Sequence, residues 1–289
     1  MMSTAADIAT QMRSRFLMEM QACIDHGSFE APRLPQLANE ILALADDPNV
    51  DMQQIASLLA RDPGLATRVL SLANSVMLGG REPVAKLSQA MSRIGLRSLK
   101  QLLLAYAVKG KVFDAPSWSR EMKDLWQHSV AAAVATDLIA RKVGMRDERA
   151  FLAGLLHDIG RPVALHVAIE LMANNPEVAE TDHDEVLWMC DRVHAHLGKV
   201  IANRWQLPEC YRVVMAEHHD PTYVGPADSL VHMVALADRI CANLGLGYPL
   251  DTDPEAWEDL SAQKLGLDKA AVSEIEGQLF DKADLFLLG

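Results

Sequence analysis

The sequence predicts an all-α protein, and three observations carry that reading. Apolar residues recur at helical spacing along most of the chain, beginning with Ile8, Met12, Phe16, Met20 and Ile24. No stretch shows the two-residue alternation of a half-buried strand. The apolar content, 50% of 289 residues, is carried by Leu, Ala, Val, Ile and Met, with aromatics at only 5%. Those side chains favour helices and helix-packed cores. A chain of this size forms one large domain or two small ones, with a core that needs no disulfide framework.

The first helix is the stripe from Ile8 to Ile24, and its apolar face offers a surface for self-association, hence a homodimer. Gly27, Pro32 and Pro35 break the chain between residues 26 and 35. Leu37, Ile41 and Leu44 mark a second helix closed by Asp47-Pro48. Asp51 with Gln54 starts a third in the manner of a capping box. Asp62-Pro63 pairs an N-cap with proline at the first helical position, a strong start for the helix carrying Leu65, Val69 and Leu72. That helix ends at Asn74-Ser75, whose side chains can satisfy orphan backbone groups, and Gly79-Gly80 interrupts. A short helix from Ser88 stops at Gly95, and another runs from Leu96 to near Val108.

The stretch Asp114-Ala115-Pro116-Ser117 divides two halves. Ser117 is placed to cap a long helix reaching Val143, stopped by Gly144. A helix from Asp147 is expected to end at Gly160. Further helices cover Asp184 to Trp205, in one piece or two, Pro208 to His219, and Asp228 to Leu244. Trp257, Leu260, Leu265 and Leu267 suggest that the tail packs back. The divisions are a helix and linker over 1–29, a helical half over 30–115, a second helical half over 116–250 and a tail over 251–289.

Composition excludes several classes. A net charge of −12 and a pI near 5.2 disfavour broad nucleic-acid binding. No segment approaches the ~18–20 apolar residues of a membrane span, so no membrane partner is expected. Residues 1–25 lack the short apolar h-region and small-residue cleavage site of a signal peptide. The four cysteines are scattered with no CxxC pair, as for reduced thiols in a bacterial cytoplasm.

The second half gathers the residues that carry chemistry. His128, the pair His157-Asp158, His194, the pair His218-His219 and Asp238 are imidazoles and carboxylates, the donors that iron, manganese or zinc select. Asp124 lies one turn before His128 on the same helix face. His128, His157, Asp158 and Asp238 would hold one cation. Asp158 could bridge to a second, served by His194 and His218 or His219, for one or two ions in all. His26, His183 and His232 read as exposed or cap-like residues, His166 as an outer neighbour of the pair, and His196 as pointing elsewhere. Met12, Met18, Met20 and Met233 read as core filler, Trp188 and Trp205 as core anchors.

The ordered motifs Leu34-Pro35, Asp62-Pro63, Leu70 through Asn74-Ser75, Ile94-Gly95, Leu156-His157-Asp158-Ile159-Gly160, Trp205-Gln206-Leu207-Pro208 and His218-His219 resemble the HDOD family, the HD-related output domains. The resemblance covers most of residues 30–245. It implies a multi-helix core like that of the HD superfamily, joined to an N-terminal helical subdomain. The ligand set is also similar to that of the HD-GYP phosphodiesterases of cyclic di-GMP. In that comparison Asp124 matches an acidic ligand of three-metal sites, and Arg161 stands where the hydrolases have lysine. The resemblance thus marks Asp158 and Arg161 as candidates for catalysis, and Arg161 as a candidate for holding phosphate. The segment after His219 reads Asp220-Pro221-Thr222-Tyr223-Val224-Gly225-Pro226, without the DGxGYP loop of those enzymes.

The family pattern implies a signalling output module that works through contacts with other signalling proteins, with metal and a phosphorylated small ligand or cyclic dinucleotide as candidate partners. The alternatives are a metal-dependent phosphohydrolase and a metal-free helical scaffold.

Overall fold

A computed structural model describes residues 5–30, 36, 40, 52–59, 61–75, 83–145, 149–247 and 258–287. Every regular element among them is helical, so the chain is all-α as predicted. The second helix around Leu37, Ile41 and Leu44, the Asp51 cap, the Gly79-Gly80 break and the Asp147 start lie outside the described residues.

Helix α1 (Ala5–His26) buries Phe16, Met20 and Ile24 to 1% exposure or less. They pack within the chain, against the helices Gly160–Asn174 and His183–Arg204. Three such side chains contribute about 5–9 kcal/mol of apolar burial. From Phe16 to Ile24 the face expected to mediate self-association is therefore spent internally; the Ile8 and Met12 side chains lie outside what the structure describes. Polar contacts fasten it further: Asn175 Nδ2 donates to Glu19 at 3.1 Å, and His196 pairs with Asp25 at 2.9 Å. Met18 does not fill the core but is 64% exposed.

Helices α2 (Met52–Leu59), α3 (Pro63–Ala73), α4 (Leu87–Ile94) and α5 (Leu96–Val112) form the N-terminal half. Asp62 caps α3 as its sequence predicts, accepting from the Leu65 amide at 3.0 Å. Asn74 ends α3 and pins the chain ahead of α4, accepting from Val84 N at 2.7 Å and donating to Val84 O at 2.8 Å. Gly95, at φ 82°, makes the joint between α4 and α5.

Helix α6 (Ser119–Lys142) is buried almost all round between Met122 and Ala140, the pattern of a core helix. Ser117 does not cap it. Pro116–Trp118 form a short 3-10 turn, and α6 starts after that turn with no side-chain cap. Helix α7 (Arg149–Leu156) crosses α6 where Gly154 meets the alanine-rich run, and a Cβ on Gly154 would lie 2.6 Å from Ala132 O. Small residues on both helices permit that approach.

Helix α7 stops at Leu156 rather than Gly160. His157–Ile159 form a turn, and Gly160 opens α8 (Gly160–Asn174). Helix α9 (His183–Arg204) is continuous, capped by Asp182. Helices α10 (Glu209–Glu217) and α11 (Asp228–Asn243) follow. The tail does pack back: α12 (Leu260–Lys264) lies on α11 and α13 (Lys269–Leu287) on α6. Among the described residues no helix is long and apolar enough to cross a membrane.

Candidate metal centre

Five elements deliver polar side chains to one point in the second half. His128 comes from α6, His157 and Asp158 from the turn between α7 and α8, and His194 from α9. His218 and His219 end α10, and Asp238 comes from α11. These residues form two groups whose ligand atoms lie within 4.8 Å of one another: His128, His157, Asp158, Asp238, and Asp158, His194, His218, His219. Asp158 belongs to both. Its Oδ2 lies 3.5 Å from the Nε2 atoms of His128 and His157. Its Oδ1 lies 3.3 Å from those of His194 and His218.

The imidazoles are oriented by backbone carbonyls. Nδ1 of His128 faces Leu246 O at 3.2 Å, of His157 Gly154 O at 2.7 Å, of His194 Asp191 O at 2.5 Å and of His218 Val214 O at 3.0 Å. A carbonyl only accepts, so each Nδ1 carries the proton and each Nε2 turns a lone pair inward. Lone pairs then face one another, with His128 Nε2 3.4 Å from His157 Nε2 and His194 Nε2 2.9 Å from His219 Nε2. Both Asp158 oxygens, Asp238 Oδ1 and His218 Nε2 are buried without a donor in hydrogen-bond geometry, although Asp238 Oδ1 is 3.0 Å from His128 Nε2 and Asp158 Oδ2 is 2.8 Å from Arg161 Nε. Converging lone pairs that lack donors are the arrangement a cation completes, so the donor set fits a transition metal.

Two glycines allow the convergence. A Cβ on Gly160 would lie 1.9 Å from His194 O, so α8 can touch α9 only with glycine there. Gly247, at φ 97°, lets the chain after α11 lie on His128, where a Cβ would come within 2.4 Å of the His128 Cβ.

The HDOD domain family matches residues 31–221. The chain belongs to the HDOD domain family. An uncharacterised protein of Treponema pallidum (strain Nichols) is 30% identical over 234 residues, 78% of this chain. The chain spans 45% of that relative's length, about half. Among solved structures, an HDOD domain protein of unknown function from Geobacter sulfurreducens aligns with 95% of this chain and 99% of its own, with TM-score 0.63 and 24% identity. A protein of Shewanella amazonensis SB2B, provisionally named a metal-dependent phosphohydrolase, aligns over 96% of this chain and 98% of its own, with TM-score 0.72 and 19% identity. These likenesses establish the fold. Asp238 lies beyond the residues matched to the HDOD family.

The site of this HDOD chain departs from expectation at its edge. Asp124 joins neither group; it is part-exposed and lies 4.0 Å from Arg120. Arg161 is 3% exposed and directed into the protein, with Nε 2.8 Å from Asp158 Oδ2 and Nη2 2.9 Å from Asp191 Oδ1. Asp191 was not singled out in the sequence; its position three residues before His194 on the same helix is the signal that could have found it. His166 contacts Val112 O at 3.1 Å, and His196 pairs with α1. His232 is buried rather than exposed, within 3.1 Å of Ser261 Oγ and 3.0 Å of Lys264 Nζ. That cluster ties α11 to α12.

The electrostatics follow from burial set against counter-charge. Burial alone would raise Asp158, but Arg161 and then His157 and His194 hold it well below the usual carboxylate range. Burial would likewise raise Asp238, and the adjacent His128 and His157 rings, when protonated, lower it well below that range. Burial works to lower His128, yet Asp238 and Asp158 outweigh it and raise the group. Burial drives His194 well below the ordinary imidazole value. Burial of the ring and the adjacent His218 push His219 down to about 3; because the residue is exposed at the rim, water screens that shift. A cavity of about 540 Å³ opens onto both groups, lined among others by Arg161, Arg192, His219, Asp238, Arg239 and Ser261.

Proposed function

We propose that this chain is an HDOD signalling module whose output depends on a two-metal site, relayed through contacts with other signalling proteins. The observation that carries this reading is Asp158, whose two oxygens each serve a separate trio of inward-facing donors. His128, His157 and Asp238 would hold one ion, and His194, His218 and His219 the second. Iron, manganese and zinc all suit such imidazole and carboxylate donors. When bound, the metals supply Lewis acidity and an acidified water. The chain's own residues orient the imidazoles, hold Asp158 ionised and exclude solvent from the inner group.

The segment after His219 supports signalling over turnover. In this loop Asp220 accepts from Thr222, the Tyr223 hydroxyl donates to Pro226 O, and Tyr223 O accepts from Lys264 Nζ at 3.0 Å, so the segment is held against α12. The open cavity favours a second reading, hydrolysis of a phosphoester held against the metals. Loading the full chain with each metal and assaying it against a cyclic dinucleotide and a generic phosphodiester separates the two. Stoichiometric metal without turnover is the expected result. Turnover that is abolished by Asp158→Asn would replace the first reading with the second.

A further inference from the structure

One carboxylate beside the two metal groups belongs to neither of them. Asp191 lies on α9, one turn before His194, and is part-exposed at the wall of the cavity. Its backbone carbonyl is 2.5 Å from His194 Nδ1, so it fixes which ring nitrogen faces the second group. Its side chain reaches the first group by another route. Asp191 Oδ1 is 2.9 Å from Arg161 Nη2, and Arg161 Nε is 2.8 Å from Asp158 Oδ2. That same Asp158 oxygen is the one that approaches His128 and His157. A residue that supplies no donor of its own thus touches both groups.

Arg161 is only 3% exposed, and a buried cation is costly unless its charge is matched. Asp158 cannot match it alone, because the same carboxylate is shared by both metal groups. Asp191 brings the second negative charge, at the far end of the guanidinium, and so fixes a long and otherwise adaptable side chain in one place. We propose that Asp191 is a positioning residue of the metal centre, holding Arg161 against Asp158 and so keeping that carboxylate aimed at both groups. This rests on the two-metal reading above. Without the Asp191 charge, Arg161 would repel incoming cations more strongly and hold Asp158 less firmly. Both effects weaken metal, and partners of this kind outside the ligand set are worth about 10–100-fold in affinity.

Asp191→Asn keeps the carbonyl on His194 and removes the charge beside Arg161, so it isolates the proposed route. Zinc and manganese are titrated by calorimetry into the metal-free full chain, Asp191→Asn, Arg161→Gln and the double variant. Asp191→Asn should weaken metal about tenfold in the parent background, and less than about threefold where Arg161 is already glutamine. A merely structural role would lower the melting temperature and leave the affinity of the folded variant alone. Equal weakening in both backgrounds would overturn the proposal, because Asp191 would then act without Arg161. An affinity unchanged in Asp191→Asn would overturn it too. Exchange of the Arg161 Nε–H, followed by NMR in the metal-free chain, requires neither metal nor a folded Arg161→Gln. It should quicken in Asp191→Asn, and an unchanged rate would show that Asp191 does not hold Arg161. A parent that takes up no metal removes the two-metal reading and the role of Asp191 together. Metal bound equally by the parent and Asp191→Asn removes only the latter.

Discussion

Gly160→Ala is the substitution on which the packing of the site turns. The new Cβ would sit 1.9 Å from His194 O, 2.7 Å from His194 C and 2.9 Å from Gly198 N, all backbone atoms. The first contact falls more than 1 Å inside the 3.0 Å that Cβ atoms keep. No side chain can swing aside, so α8 and α9 must separate. Overpacking costs about 1–3 kcal/mol, and a backbone clash belongs at the upper end. Alanine recovers at most about 1 kcal/mol of helix propensity over glycine. A net loss of about 2–3 kcal/mol lowers the melting temperature of a chain this long by about 4–10 °C. The same separation pulls His194 from its 3.3 Å approach to Asp158, so metal affinity at the second group should fall about tenfold or more. Thermal melting followed by circular dichroism, with metal titration of the folded variant, reads both effects. A variant that melts within about 1 °C of the parent and binds metal equally would refute the close α8–α9 contact.

Other expectations follow from the same structure. Burial pushes the Cys190 thiol up to about 12, and burial with Asp238 nearby raises Cys241 well above its usual value, so neither should react with iodoacetamide at pH 8 until the chain unfolds; peptide mass spectrometry reads this. Asp62→Ala removes the α3 cap and should cost about 1 kcal/mol in a denaturant titration. Acid should destabilise the metal-free chain from about pH 6.5 downward. His194 is depressed in the folded state, so the unfolded chain takes up its proton first and stability falls as pH falls, by about 1.4 kcal/mol per pH unit. His128 is raised, and its contribution, fully present below pH ~6.5, adds no slope in that window and fades only as pH rises through its folded value. His194→Gln should lessen the slope between about pH 6.5 and 4.5, leaving the share of His219, which is depressed as well; an unaltered profile in that variant would contradict the assignment.

The helices were legible because their signals are local. Asp62-Pro63 and Gly95 act within a turn of their own positions, and each does so here, whereas the Asn74 side chain reaches across to Val84. The donors of both groups were legible from residue type and order. What was hidden depends on elements distant in the chain. Gly160 reads as a helix stop until His194 is placed against it, and nothing near Arg161 in sequence announces its pairing with Asp191. The apolar stripe of α1 does not reveal in sequence whether it faces its own α9 or another molecule. His232 reads as surface because nothing near it in sequence announces Ser261 and Lys264.

Metal content of the purified full chain, beside Asp158→Asn, tests the central claim most directly. Iron, manganese or zinc is expected at one to two equivalents in the parent after reconstitution, with loss from both groups in the variant and the fold retained by circular dichroism, because Asp158 is the residue both groups share. A folded parent that takes up no metal after reconstitution would contradict it, as would a variant that keeps the parent's full complement.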